Sequence, residues 1–333
     1  MRILFFGDGD WATAALRALM VKHEIIGVVY RCQPTTDRFP GFVSQFAIPQ
    51  FAPARVNSPS FREQVDALQP DLCVSVSYDQ IIGSRLLKQP HHGFLNLHAA
   101  PLPLYRGRAT VIWQIINGVS NLGLSTHWMS SRVDQGEIIL QKQFPLGTDE
   151  TLDEALSMLI EQVPDMMTET MEKIGTTVRK PVCPSDSSSE PGSSFPRRLS
   201  GDEQIDWCDT SQNIHNKIRA LSQPGLYAAV CTADNGVIRI MRSRMLPEYP
   251  ATIGIPGSII ERNSTGVIVK TGDTALQLTA VIINDCEDVP AWPVSYRLLS
   301  LEETRLRRLE RQVAELTNQF KQYERAEYGE LCG

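Results

Sequence analysis

The chain opens on an unbroken apolar run, Ile3-Leu4-Phe5-Phe6, whose β-branched and aromatic content predicts a buried strand over 2–7. Behind it, Ala15, Leu16, Leu19 and Met20 recur at helical spacing in GDGDWATAALRALMVK, and HEIIGVVYR returns to a strand pattern. Strand, helix and strand in that order predict an α/β fold built on a doubly wound, Rossmann-like parallel sheet. SPSFREQVDALQP predicts a helix with Ser58 as N-cap, Pro59 at its first position and Phe61, Val65 and Leu68 as its apolar stripe. DLCVSVSYDQIIGSRLL predicts a further buried strand and a turn. Residues 149–174 predict one amphipathic helix, or two broken near Pro164.

The pattern changes after residue 182. Residues 183–204, CPSDSSSEPGSSFPRRLSGDEQ, are rich in Ser, Pro and Gly and read as a linker between a larger domain over 1–182 and a smaller one over 205–290. The smaller domain begins with Ile205-Asp206-Trp207 as a strand, continues as a helix, and then supplies several short strands. At the end, Leu306, Leu309, Val313, Leu316, Phe320 and Tyr323 stand 3, 4, 3, 4 and 3 apart, an a/d heptad seam within a helix over 298–327. Such a seam either self-associates, making a homodimer, or docks on the body of the protein.

Length and composition narrow the class. A chain of 333 residues, 42% hydrophobic and 21% charged, is of a size for two globular domains. It has no apolar run of the roughly 18 residues a membrane helix needs. The first residues carry no signal-cleavage pattern, so a cytoplasmic location is expected. Seven scattered cysteines without a C-x-x-C pair argue against a disulfide framework and a zinc site, and the His91-His92 pair reads as solvated, so no metal is expected. The formal net charge of −6 and the lack of a dense basic run, outside ETRLRRLERQ near the end, argue against a nucleic-acid partner.

The stretch 94–140 carries the chemistry. Asn96 and His98 lie two apart in an apolar run, so both face one side of an extended strand. PLPLYRG ends that strand in a loop, and Asp134 follows in VDQG. An imidazole that takes a proton, an amide that polarises a carbonyl and a carboxylate that orients the imidazole together suit acyl transfer. The order N-x-H, PLPLYRG, Trp113 to Gly118, GLSTHWM and D-x-G-x-I (Asp134, Gly136, Ile138) resembles the 10-formyltetrahydrofolate-dependent formyltransferase family. One departure concerns the loop after the histidine, where the family has Ser-Leu-Leu-Pro and this chain has Ala99-Ala100-Pro101-Leu102-Pro103.

That resemblance implies an N-formyltransferase, a one-carbon transferase with 10-formyltetrahydrofolate as co-substrate and Asn96, His98 and Asp134 as catalytic residues. It places the pteridine ring against the loop holding Tyr78, Gln80 and Ile81, with Asp134 beside it. Tyr105, Arg106, Arg108 and His127 become substrate-side candidates, since arginines suit a phosphate or carboxylate. It also implies that the smaller domain is an open β-barrel, for which Asp206-Trp207, Arg219-Ala220-Leu221 and Pro224-Gly225 match. The family includes methionyl-tRNA formyltransferases and N-formyltransferases of nucleotide-linked amino sugars. In the former, the region matching 32–56 looks longer and carries a basic, glycine-rich insertion, whereas here only the dispersed Arg31, Arg38 and Arg55 appear. A small-molecule amine, an amino sugar on UDP or dTDP, is therefore the expected acceptor. Methionyl-tRNA comes second and a hydroxyornithine-type amine third, with hydrolysis of the formyl-folate as the acceptor-free alternative. Gly7-x-Gly9-x-x-Ala12 also raises a dinucleotide-binding turn, although Tyr30 and Arg31 stand where the usual acid would be.

Overall fold

A computed structural model describes residues 1–33, 38–175, 191–223, 225–231 and 236–330. The chain forms two compact units, residues 1–114 with 119–198, and residues 115–118 with 199–333.

The first unit begins β1 (Arg2–Gly7), α1 (Gly9–Met20), β2 (Glu24–Val29), α2 (Arg38–Val43), β3 (Gln50–Phe51), α3 (Pro59–Leu68), β4 (Leu72–Val76) and α4 (Ser84–Leu87). It continues with β5 (Phe94–His98), β6 (Arg106–Gly107), α5 (Thr110–Ile116), β7 (Asn121–Trp128), β8 (Ile138–Pro145), α6 (Leu152–Gly175) and β9 (Ser194–Phe195). Seven strands make one sheet in the order β3-β2-β1-β4-β5-β7-β8. The order reverses between β1 and β4, the switch point at whose carboxyl ends sites of such sheets sit.

The strands are buried on both faces. In β1, Ile3 and Phe5 join α1 and α6 through Ala12, Leu16, Val163 and Met167, while Leu4 and Phe6 join Phe61, Val65, Leu86 and Phe94 on the other side. This two-sided burial produces the continuous apolar runs of the sequence. α3 starts as expected, Ser58 Oγ accepting the Phe61 amide at 3.3 Å behind Pro59. α6 is one helix through Pro164. The buried side chains on either side, Val163, Met166 and Met167, hold it against the sheet despite the missing amide.

The sheet is not wholly parallel. β1 to β5 run parallel, but β7 is antiparallel to both β5 and β8. For β7 and β8 the reason is connection length: residues 129–137 between them are too few for a crossover, which takes about a dozen residues or more.

The second unit holds α7 (Ser211–Ala220), β10 (Ala228–Cys231), β11 (Val237–Met245), β12 (Ile259–Asn263), β13 (Gly266–Lys270), β14 (Ala275–Ile283), β15 (Cys286–Asp288) and α8 (Leu301–Glu330). Its strands form an open antiparallel sheet, β10-β11-β14-β13-β12 with β15 on β14. Among the described residues no pairing joins β10 to β12. Ile205 and Trp207 are buried at 1% and 2% exposure but lie in irregular backbone and a turn, not in the strand expected there.

Gly7 closes β1 where a Cβ would stand 2.7 Å from the Ala12 Cβ and 2.7 Å from the Val76 carbonyl. Gly7→Ala should cost about 1–3 kcal/mol through overpacking. The expected result is a lower thermal midpoint for the first unit; an unchanged midpoint would show that the turn has slack.

Candidate active site

β5 delivers His98 to the carboxyl edge of the sheet, and the loop after it is held from beneath. The Ala99 carbonyl accepts from Gln114 Nε2 at 2.8 Å and from Thr110 Oγ1 at 2.9 Å. Ser125 Oγ donates to the Ala100 carbonyl at 2.7 Å and accepts the Leu102 amide at 3.2 Å, while Gln141 Nε2 donates to the Leu102 carbonyl at 2.7 Å. Gln114 and Ser125 are fully buried. A loop lacking sheet or helix partners needs such side chains to satisfy its buried backbone. Gly123 lets it approach, since a Cβ there would run into Pro101.

A second segment crosses the loop from above. Ser193 Oγ accepts the Tyr105 amide at 2.9 Å, the Ser193 carbonyl accepts the Arg106 amide at 2.8 Å, and the Phe195 carbonyl accepts the Arg108 amide at 3.2 Å. β9 thereby pairs in parallel with β6. The Phe195 ring stacks between Tyr105 (5.1 Å, 12°) and Trp113 (5.2 Å, 28°), and Trp113 Nε1 donates to the Pro196 carbonyl at 3.1 Å. This corrects the linker reading for residues 193–196: one aromatic residue and a backbone register fasten a stretch whose composition suggests none. Residues 183–190 of that linker lie outside the described residues.

Beneath the strap four side chains converge. His98 Nε2–H donates to the Tyr105 carbonyl at 2.8 Å, which fixes its tautomer and turns Nδ1 toward Asp134 Oδ2 at 3.7 Å. Asp134 Oδ2 also accepts the Gly107 amide at 2.9 Å. Its other oxygen lies 3.6 Å from His127 Nε2, too far for a hydrogen bond. His127 Nδ1–H donates to the Trp128 carbonyl at 2.9 Å, so its Nε2 accepts from the Asn96 amide at 3.1 Å. The antiparallel register sets Asn96 opposite His127, and the β5 alternation keeps Asn96 and His98 on that side. Asp134 reaches inward from a left-handed backbone, φ +54°, that aspartate tolerates better than most residues.

Burial lowers the His98 pKa below its ordinary value, although Asp134 and the Tyr105 carbonyl pull the other way. For Asp134 burial alone would raise it, but His127, His98 and the Gly107 amide together hold the carboxyl below the usual range. The pair at neutral pH is a carboxylate beside a neutral imidazole whose Nδ1 lone pair is available.

The other predicted residues divide. His127, a substrate-side candidate in sequence, stands inside the cluster and touches Asn96. Tyr105 supplies its carbonyl to His98 and its ring to the stack. Arg106 is buried at 9% exposure, with Nε and Nη2 lacking hydrogen-bond partners. Arg108 Nη2 donates to the Asp79 carbonyl at 3.0 Å, tying the loop to the end of β4. Tyr78 sets its ring edge-on to Phe6 at 5.5 Å with its hydroxyl buried, and burial pushes its phenol up. Ile81 is 70% exposed. The Gln80 side chain accepts the Val56 amide at 2.9 Å and donates to the Pro53 carbonyl at 3.0 Å, clamping two loops.

The β1 turn does not offer an anion cradle. Asp8, 3% exposed, lies in it with Oδ2 at 2.9 Å from Arg31 Nε, and an acid in that place repels a pyrophosphate. Sequence reading passed over this pair, and also Gln114, Ser125, Gln141 and Phe195. Only Gln114 and Gln141 gave a signal, as polar residues within otherwise apolar patterns. No group of three or more His, Cys, Asp or Glu is placed to hold a metal ion among the described residues. Nor is any helix among them long and apolar enough to cross a membrane.

A profile described as formyl transferase matches residues 1–171, and one for the formyl transferase C-terminal domain matches residues 200–293, so the chain belongs to the formyl transferase family. It is 30% identical over 295 residues to a methionyl-tRNA formyltransferase of Syntrophomonas wolfei, covering 84% of this chain and 90% of that one. To that of Moorella thermoacetica it is 32% identical over 295 residues, covering 84% and 91%. Among solved structures, the sugar 3N-formyl transferase WlaRD, in the presence of dTDP and 5-N-formyl-THF, superposes with a TM-score of 0.64 at 19% identity, over 84% of this chain and 97% of that one. An N-formyltransferase from Helicobacter canadensis, in complex with folinic acid and dTDP-3-aminofucose, does so at 0.63 and 18%, over 84% and 99%. At these identities the structures speak for the fold.

Phe195→Ala removes two ring stacks, each contributing roughly 0.5–1.5 kcal/mol. Hydrogen exchange should then quicken at the Arg106 and Arg108 amides while the β1 and β4 amides keep their protection. Unchanged exchange would show that the strap does not hold the loop.

Proposed function

We propose that this enzyme transfers the formyl group of 10-formyltetrahydrofolate to a primary amine, and that the acceptor is an amino sugar carried on a nucleotide such as UDP or dTDP. The observation that carries formyl transfer is the His98–Asp134 pair, a neutral imidazole with a free Nδ1 beside a carboxylate, next to an amide nitrogen. The family's donor fits this arrangement: the 78–83 loop borders the cluster at the end of β4, and Tyr78 and Ile81 remain uncommitted there.

The amine nitrogen attacks the formyl carbon, the new N–C bond forms, and the bond from that carbon to N10 of the folate breaks. One hydrogen of Asn96 Nδ2 is held on His127, and the second is directed to the oxyanion that develops on the formyl oxygen. The proton lost by the attacking nitrogen goes to His98 Nδ1, while His98 Nε2–H stays on the Tyr105 carbonyl. Asp134 stabilises the imidazolium, which then returns the proton to the leaving N10. His127 positions Asn96.

Support for a sugar nucleotide comes from the acidic net charge of −6 and from the β2–α3 region, where Arg31 is engaged by Asp8. A second reading, transfer to methionyl-tRNA, is favoured by relatives of that name aligned along both family domains.

The deciding assay follows tetrahydrofolate release from 10-formyltetrahydrofolate against UDP- and dTDP-amino sugars, hydroxyornithine and charged initiator tRNA. Turnover with a sugar nucleotide alone supports the proposal. Turnover with tRNA replaces its acceptor, release without any acceptor makes the enzyme a hydrolase, and no release refutes formyl transfer from this donor. Within the working assay, His98→Ala and Asp134→Asn should each lower kcat by about 10²–10⁴-fold, the usual contribution of general acid–base steps. Near-normal turnover in either would remove it from the mechanism.

The pH profile gives a further check. His98 works neutral and its pKa is lowered, so the acid limb of kcat/KM should fall below the ordinary histidine value of about 6.5. Asp134 raises that pKa by its charge, so in Asp134→Asn the limb should move to still lower pH. A limb above about 6.5 in the wild type, or one moving upward in the variant, contradicts His98 as the base.

A further inference from the structure

Among the described residues the seam of α8 lies exposed along its length. Leu306, Leu309, Val313, Leu316 and Phe320 are each 50–64% exposed, although together they form one continuous stripe. Five large apolar residues in register on an exposed helix exceed the isolated apolar residues usual on a surface. The helix is firmly begun: Ser300 and Glu303 cap each other's amides at 2.9 and 3.0 Å, and Arg297 donates to Glu303 at 3.0 Å. It also lies beyond residue 293, where the match to the family's C-terminal domain stops.

We infer that α8 pairs with α8 of a second copy of this chain as a parallel two-stranded coiled coil. Placing Leu306, Val313 and Phe320 at a positions and Leu309 and Leu316 at d makes Arg305 a g residue and Glu310 the following e residue. In a parallel pair each g residue faces the next e residue of the partner helix, so Arg305 of one copy meets Glu310 of the other, twice by symmetry. Both side chains are exposed. An antiparallel pair on the same seam sets e against e and g against g. Glu310 then meets Thr317 and Gln312 meets Gln319, with no opposite charge in either contact. Charge complementarity thus selects both the occupant and its direction, and β-branched Val313 at an a position with leucines at d suits two strands.

From Leu306 to Phe320 the seam runs about 21 Å, at 1.5 Å per residue, a small interface. The dimer is therefore reversible, with a dissociation constant of about micromolar order. This inference is independent of the acceptor the enzyme uses.

Sedimentation equilibrium of the full chain, from about 1 to about 100 µM, tests it. The wild type should pass from monomer to dimer across that range. Leu309→Asp with Leu316→Asp should stay monomeric throughout, an increase in dissociation constant of at least about 100-fold, with an unchanged circular dichroism spectrum below the wild type's dimerisation range. Glu310→Arg should weaken the dimer about tenfold, and adding Arg305→Glu to it should restore the wild-type constant. A wild type that is monomeric at every concentration overturns the inference, as does a dimer that survives both aspartates. Failure of the charge swap to restore association overturns the parallel pairing.

Discussion

The carboxylate of Asp134 is the group around which the first unit is arranged. One of its oxygens accepts the Gly107 amide and faces His98, and the other faces His127. A carboxylate with 10% of its side chain exposed needs a donor, which the Gly107 amide supplies, and it gains a counter-charge when His98 takes up a proton. Each of those groups must therefore be delivered by a different element. Gly107 comes from the loop after β5, His98 from the end of β5, and His127 from β7. Their convergence requires the antiparallel turn-back of β7 as much as the parallel core, because only that register sets His127 across from Asn96.

The loop that carries Gly107 has little structure of its own. Its shape is imposed by Gln114, Thr110, Ser125 and Gln141 below and by Ser193 and Phe195 above. A hydrogen bond adds only about 1 kcal/mol net, yet a buried carbonyl left without a donor costs about 1–3 kcal/mol. The clamp thus works chiefly by making every other loop conformation expensive. The same reasoning places the Tyr105 carbonyl, whose hold on His98 Nε2 leaves the opposite nitrogen open. Rigidity of the loop and the tautomer of the imidazole are one property.

Much of this was legible in the residue pattern, for definite reasons. Burial on both faces writes β1, β2 and β4 as continuous apolar runs, and the Ser58-Pro59 start of α3 is a local signal needing no tertiary context. Asn96 and His98 stand out because polar residues are rare in such an apolar run, and Asp134 because it opens the D-x-G-x-I pattern. The antiparallel edge was hidden, since strand composition carries no direction. His127 was undervalued because its partners, Asn96 and Asp134, become neighbours only through sheet register. The bonds of Gln80 to Val56 and Pro53 were equally hidden, since they join loops far apart in sequence. The strap at 193–196 escaped notice because Ser-, Pro- and Gly-rich composition describes average tendency, while Phe195 acts as a single anchor.

The strap also sets an order of events during synthesis. Asn96, His98 and Asp134 leave the ribosome well before Ser193 and Phe195, and until those two arrive the Tyr105 and Arg106 amides lack their partners. The nascent first unit can assemble its sheet yet must wait some sixty residues past Asp134, about 3–12 s at 5–20 residues per second, before its loop is locked. A chain interrupted within that interval would carry every residue of the cluster and still be an unfinished catalyst, so completion of the site doubles as a check that translation has reached the end of the first unit.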